Sequence, residues 1–99
     1  MVRHIVSWSF KDGFTGSENL EHAKQIKSKL EALPSIIDGI IEFNIAIDLL
    51  PSSNRNAALN SLFESEEALL AYKIHPEHKK VSEFVGSVMQ NRVCIDYYE

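Results

Sequence analysis

Hydrophobic and polar positions alternate almost from the start of the chain. His4, Val6, Trp8 and Phe10 fall on one side, and Arg3, Ile5, Ser7 and Ser9 on the other, the period-two signature of a strand with one face on a core. Lys11-Asp12-Gly13 closes it as a turn. The period then lengthens. Ser17 reads as an N-cap with Glu18 behind it, and Leu20, Ala23, Ile26, Leu30 and Leu33 cover roughly 140° of a helical wheel. Pro34 predicts the stop, because it lacks an N–H and disfavours helical geometry at Leu33.

Alternation returns over residues 40–48, with Ile41, Phe43, Ile45 and Ile47 on one face and Ile40, Glu42, Asn44 and Ala46 on the other. A Pro51-Ser52-Ser53-Asn54-Arg55 loop leads to a third strand over residues 57–63. Asn60 at its centre is unusual in a strand and needs a hydrogen-bond partner if buried. Ser65-Glu66-Glu67 marks a second helix start, a capping hydroxyl followed by carboxylates at the positive end of the dipole. Pro76 biases His75 out of the α region and is itself suited to a first helical position, so it predicts one helix ending near Ile74 and another beginning at once. That helix carries a stripe of Val81, Phe84, Val85, Val88 and Met89 and ends at Asn91. Residues 92–98 form a last strand, with Val93, Ile95 and Tyr97 on one face and Arg92, Cys94, Asp96 and Tyr98 on the other.

The order is β-α-β-β-α-β, an α+β, ferredoxin-like sandwich. Three strands put bulky apolar groups on one face while the other face is only partly polar, and 99 residues hold no third layer to cover it. A chain of this size buries roughly 65% of its unfolded surface. A second copy of the chain is therefore the expected cover, giving a symmetric dimer, with Phe43 a position on the paired face.

Composition narrows the function classes. The chain is 44% hydrophobic and 24% charged with a net charge of -4, which argues against a nucleic-acid binder. Cys94 is the single cysteine, so neither an internal disulfide nor a paired-cysteine zinc site is expected. No leader or membrane-spanning run is expected, and the cytoplasm is the default compartment. One domain over residues 1–99 is expected.

Candidate chemistry gathers between Tyr72 and His78, where a phenol, two imidazoles and a proline fall within seven residues. On the third helix His78 lies about 60° from Val81 and about 20° from Val85, inside the apolar arc. Burial and the helix dipole both disfavour its imidazolium, which leaves it neutral and able to act as a general base. Tyr72 is on the inner side of the preceding helix and could donate to a carbonyl oxygen that gains charge. His75 is expected to cap backbone amides at the joint instead. A metal shared by His75 and His78 lacks further donors.

These residues resemble a known family, the stress-response A/B barrel or Dabb (dimeric α/β-barrel) domains. The resemblance rests on Arg3-His4-Ile5-Val6, Phe63-Glu64-Ser65, Glu67-Ala68-Leu69, Tyr72-x-x-His75-Pro76-x-His78 and Arg92-Val93-x-x-Asp96-Tyr97, and spans essentially the whole chain. It implies a ferredoxin-like fold, a homodimer whose sheets form a shared barrel, and a pocket between each sheet and its helices. A plant polyketide cyclase of the family forms olivetolic acid by aldol condensation, and its catalytic tyrosine and histidine match Tyr72 and His78. The resemblance thus implies cofactor-free aldol or cyclase-type chemistry on a small carbonyl or polyketide-like compound, with Tyr72 and His78 catalytic and no metal. His4, Trp8, Phe84 and Asp96 are the expected substrate contacts, Asp96 also as the carboxylate that orients a histidine. Two other readings stand beside it. In one, the protein is a non-catalytic stress-related or ligand-binding dimer whose Tyr72 and His78 are structural. In the other, by fold analogy alone, it is a cofactor-free oxygenase.

Overall fold

The computed structural model describes residues 1–99. Strand β1 (Val2–Phe10) leads through a turn into helix α1 (Gly16–Glu31), and a short 3-10 turn (Leu33–Ser35) accommodates Pro34. Strands β2 (Ile40–Ala46) and β3 (Ala57–Phe63) follow, then helices α2 (Glu66–Ile74) and α3 (Pro76–Val88), and strand β4 (Met89–Tyr98). The four strands form one antiparallel sheet in the order β2-β3-β1-β4, and the ferredoxin-like α+β architecture matches the expectation. No helix is long and apolar enough to cross a membrane.

The helices cover the face of β1 that carries Val2, His4, Val6 and Trp8, all buried. Cross-strand register extends that face: His4 lies opposite Ser61 on β3 and Asp96 on β4, and Val6 opposite Leu59 and Cys94. From the helices, Ile26 and Leu30 of α1, Leu69 and Tyr72 of α2, and Val85 and Val88 of α3 close the core.

Four local expectations are corrected. The N-cap of α1 is Thr15, not Ser17: its hydroxyl accepts from the Glu18 N–H at 3.1 Å while Glu18 Oε1 accepts from the Thr15 N–H at 2.9 Å. Both orphan donors are satisfied at once only with the spacing Thr15-x-x-Glu18. Leu20, one turn in, lies outside the core and is 56% exposed. On β2 a register shift falls between Ile40 and Glu42, so Ile40 pairs with Phe63, Phe43 with Ser61 and Ile45 with Leu59. The extra residue flips the alternation: Ile41 is 45% exposed, whereas Phe43 turns toward the helices, 5.9 Å from the Tyr72 ring. Phe43 is thus not on the face free for a partner. Finally, α3 ends at Val88, and Met89 already belongs to β4.

Gly39 precedes β2 with φ of 90°, and a Cβ there would stand 2.7 Å from the Ala68 Cβ. Only glycine satisfies both the backbone and the close approach of α2.

The uncovered face carries Arg3, Ile5, Asn60, Leu62, Val93, Ile95 and Tyr97, as the pairing of Arg3 with Leu62 and Tyr97, and of Ile5 with Asn60 and Ile95, dictates. Arg3 donates to Glu42 at 2.8 Å, to Asn60 Oδ1 at 3.0 Å and to Glu99 at 2.6 Å. Asn60 is therefore exposed and partnered, not a buried amide.

Candidate active site

The site begins at the break between α2 and α3. His75 takes ψ of 135°, the extended conformation that a following proline favours. Its Nδ1 accepts from the Glu77 N–H at 3.1 Å, capping α3. In an unbroken helix that N–H would have gone to the Lys73 carbonyl, four residues back. The freed carbonyl instead takes a hydrogen bond from His78 Nδ1 at 3.2 Å. A carbonyl can only accept, so Nδ1 of His78 carries the proton and Nε2 keeps its lone pair. The break therefore also selects the tautomer of the next histidine.

Tyr72, one turn before the break, is 1% exposed. Its ring lies 4.2 Å from that of His78, 5.0 Å from Phe63 and 6.1 Å from His4. Burial pushes its pKa well above the ordinary phenol value, against a smaller opposing influence from Arg92, and keeps it a proton donor. Burial likewise depresses the pKa of His78, with the Lys73 carbonyl bond in partial opposition.

His4 is buried on β1 and pairs with Asp96 across the strands, Nδ1 to Oδ1 at 2.5 Å. Its pKa is depressed by burial, and the hydrogen bond and charge of Asp96 offset only part of that. Burial works against the Asp96 charge, but the His4 hydrogen bond and Lys73, whose Nζ is 3.3 Å from Oδ2, bring its pKa below the usual carboxylate value. His4 thus repeats the pattern of His78, with Nδ1–H held by an acceptor and Nε2 free.

A cavity of about 280 Å³ joins these groups. His4, Trp8, Tyr72 and His78 line it, together with Val6, Leu30, Leu59 and Val85 and a polar rim of Ser82, Gln90, Asn91 and Arg92. Two of the expected contacts lie elsewhere. Phe84 is on the side of α3 that meets α1, with Lys29 Nζ 5.3 Å above its ring and His22 6.5 Å away. Asp96 stands behind His4 and lines a separate groove with Leu69, Leu70, Lys73 and Tyr98. The polar rim was absent from the sequence reading. Its signal lay in Asn91, a residue type that tolerates the left-handed conformation.

His4, Cys94 and Asp96 also bring three donor atoms within 4.8 Å of one another. Cys94 Sγ is 3.8 Å from His4 Nδ1 and 3.6 Å from each Asp96 oxygen. Imidazole, thiolate and carboxylate suit zinc, but the Lys73 ammonium already occupies part of the carboxylate. Cys94 and Asp96 both address Nδ1, so the trio cannot act as a nucleophile–base–carboxylate relay, which needs the two on opposite ring nitrogens.

A four-stranded antiparallel sheet with helices on one face, and a tyrosine–histidine pair on a cavity beneath them, define a ferredoxin-like domain with a pocket between sheet and helices. The model of the stress responsive A/B barrel domain matches residues 2–99, and the chain belongs to that family. Its fold is that of a dimeric protein of unknown function from Bacteroides fragilis, at 30% identity and a TM-score of 0.91 over 99% of this chain and 95% of that one. A dimeric ferredoxin-like protein from Thermobifida fusca, also of unknown function, has 23% identity and a TM-score of 0.84 over 99% and 90%. A hydroxynitrile lyase from Passiflora edulis shares the fold at 22% identity and a TM-score of 0.79 over 97% and 90%. No curated protein matches.

Proposed function

We propose that the protein is a homodimer with a cofactor-free site in each subunit that removes a proton from the carbon beside a carbonyl group. His78 is the general base through Nε2, and Tyr72 donates a hydrogen bond to the carbonyl oxygen as the electron pair moves onto it. The observation that carries the reading is the shared cavity, in which a neutral imidazole of fixed tautomer and a protonated phenol stand 4.2 Å apart. Neither group needs a change of protonation before reaction at neutral pH. His4, held by Asp96, faces the same space and can hold a proton in transit. The enolate so formed can attack a second carbonyl, the step that aldol and cyclase-type reactions share. At about 280 Å³ the cavity falls just below the roughly 300–1,000 Å³ usual for small-molecule sites, which favours a short carbonyl compound over an extended polyketide chain. Dimer formation is supported by the dimeric relatives and by Val93, Ile95 and Tyr97, large and exposed on the uncovered face.

The test is exchange of the acidic C–H of a β-dicarbonyl compound in deuterated water, followed by NMR. The protein should accelerate it and His78→Ala should not, with an unchanged circular dichroism spectrum. Equal exchange with and without protein would defeat the enzymatic reading. The alternative, a non-catalytic ligand-binding or stress-related dimer, draws on the packing of Tyr72 against Phe43 and Phe63, which suits a core residue; it expects binding without exchange.

A further inference from the structure

Strand β4 does not keep one alternation along its length. Met89 lies opposite Phe10 and Gln90 opposite Ser9, yet Val93 lies opposite Ser7. The pair Asn91 and Arg92 thus faces the single residue Trp8. Asn91 adopts φ of 55°, and Arg55 Nε donates to its carbonyl at 3.3 Å. An extra residue in one strand resets the face taken by the side chains beyond it. Positions 89 and 92 are an odd number apart and would point to opposite faces of a regular strand. With the bulge both line the cavity, Met89 from the core and Arg92 from the rim.

In phase with Cys94 and Asp96 on the covered face, Arg92 puts a cation at the rim of a site that is otherwise uncharged. Burial favours the neutral forms of His4 and His78 and the protonated form of Tyr72, and the Arg92 charge acts in the direction that disfavours any further positive charge there. Asp96, four residues further along β4, is engaged by His4 and Lys73. The ion pairs of the chain use Arg3, His4, Lys27, Lys73 and Lys80 as their cationic members, and Arg92 enters none of them. A guanidinium facing a partly apolar cavity without a carboxylate partner complements an anion.

We propose that Arg92 makes the cavity selective for anionic ligands, and that the substrate class is a small carbonyl compound bearing a carboxylate. The carboxylate is held in the guanidinium fork at the rim, with the polar groups of Ser82 and Asn91 beside it, and the carbonyl is turned inward to Tyr72. The inward half of that pose rests on the proton-abstraction reading; the anion preference does not.

Isothermal titration of the intact protein with acetoacetate, and with methyl acetoacetate as its uncharged counterpart, separates the two. The wild-type protein should bind the acid roughly 10- to 100-fold more tightly than the ester, as expected for one charge-assisted hydrogen-bonded pair. Arg92→Gln should erase that preference, bringing the acid and the ester to about equal affinity. Arg92→Lys should keep part of it, because the charge remains and the fork is lost. The proposal is overturned if the ester binds as well as the acid, if neither probe binds the wild-type protein in the millimolar range, or if Arg92→Gln retains the preference. His78→Gln removes the base and keeps the guanidinium, so it should retain the acid preference while losing exchange; a failure of proton abstraction is thereby distinguished from a failure of anion selection.

Discussion

On the covered face of the sheet His4 and Ser61 are buried as neutral groups, the first held by Asp96 and the second donating to the His4 carbonyl at 2.7 Å. On the uncovered face Arg3 gathers Glu42, Asn60 and Glu99 around a full charge. Both faces mix polar and apolar residues, so composition alone does not separate them. They differ in how charge is handled. Beneath the helices, desolvation removes charge from the imidazoles and leaves their lone pairs available. Outside, water or a partner's surface meets a network in which one guanidinium is shared between two carboxylates, each hydrogen-bonded to it.

The comparison is broken most severely by putting the same charge on each face. Phe43→Asp sets a carboxylate against the Tyr72 ring at a half-buried position packed on the core, and should cost roughly 2–3 kcal/mol in urea denaturation. Ile95→Asp, 53% exposed at the middle of the other face, should leave the secondary structure intact and abolish self-association in light scattering. If Ile95→Asp stays dimeric, the uncovered face is not the interface.

Next in size are the two cavity groups. His78→Ala should slow proton exchange by about 10²–10⁴-fold, the usual contribution of a positioned base. Tyr72→Phe keeps the ring that packs on Phe63 and loses the hydroxyl; it should slow exchange by about 10²-fold with little change in melting temperature. A large melting loss in Tyr72→Phe together with unchanged exchange would return Tyr72 to the core.

Local signals with a single physical cause were readable from residues. The Ser65 cap, the chain break at Pro76 and the capping role of His75 each follow from one backbone requirement, and each is where it was expected. Errors arose where one residue shifts everything after it. The irregularity after Ile40 reversed Ile41 and Phe43, and no alternation pattern reveals such an insertion in advance. The α3 stripe was read correctly as apolar, but a helix packed between α1 and the sheet has two inner sides, and a wheel does not say which one holds Phe84. The partnership of His4 with Asp96 needed the register between β1 and β4, which is a long-range fact.

The pH dependence of stability should report the covered face. The folded pKa values of His4 and His78 are depressed relative to the unfolded chain. Above the ordinary histidine value of about 6.5 both states are neutral at these positions and they add no slope. As pH falls below it, the unfolded chain takes up protons first, so stability falls until the folded pKa values are reached. The urea midpoint should therefore drop between about pH 7.5 and about pH 5.5, and less steeply in His78→Gln. Asp96, with its lowered pKa, contributes stability that is lost only at more acidic pH. A midpoint that rises on acidification through this window would mean that the imidazoles are stabilised as cations, and a neutral general base in the cavity would be wrong.

The smallest effect sharpens the comparison at the one point where β4 changes face. Asn91 has a left-handed backbone, which costs L-residues roughly 1–2 kcal/mol; asparagine offsets part of this, and glycine escapes it but loses more entropy on folding. Asn91→Gly should accordingly change stability by less than about 1 kcal/mol and weaken the acid preference of the cavity far less than Arg92→Gln, since the guanidinium stays and only a neighbouring amide is lost. Asn91→Val, of similar bulk but stiff at Cβ, should strain the left-handed position and cost about 1–2 kcal/mol, read as a lower urea midpoint. Arg92 is in phase with Cys94 and Asp96 on the covered face, so the acid preference of the cavity should largely survive the substitution. A complete loss of the preference in a folded Asn91→Val protein would show that the bulge, and not the alternation of β4, sets the direction of Arg92.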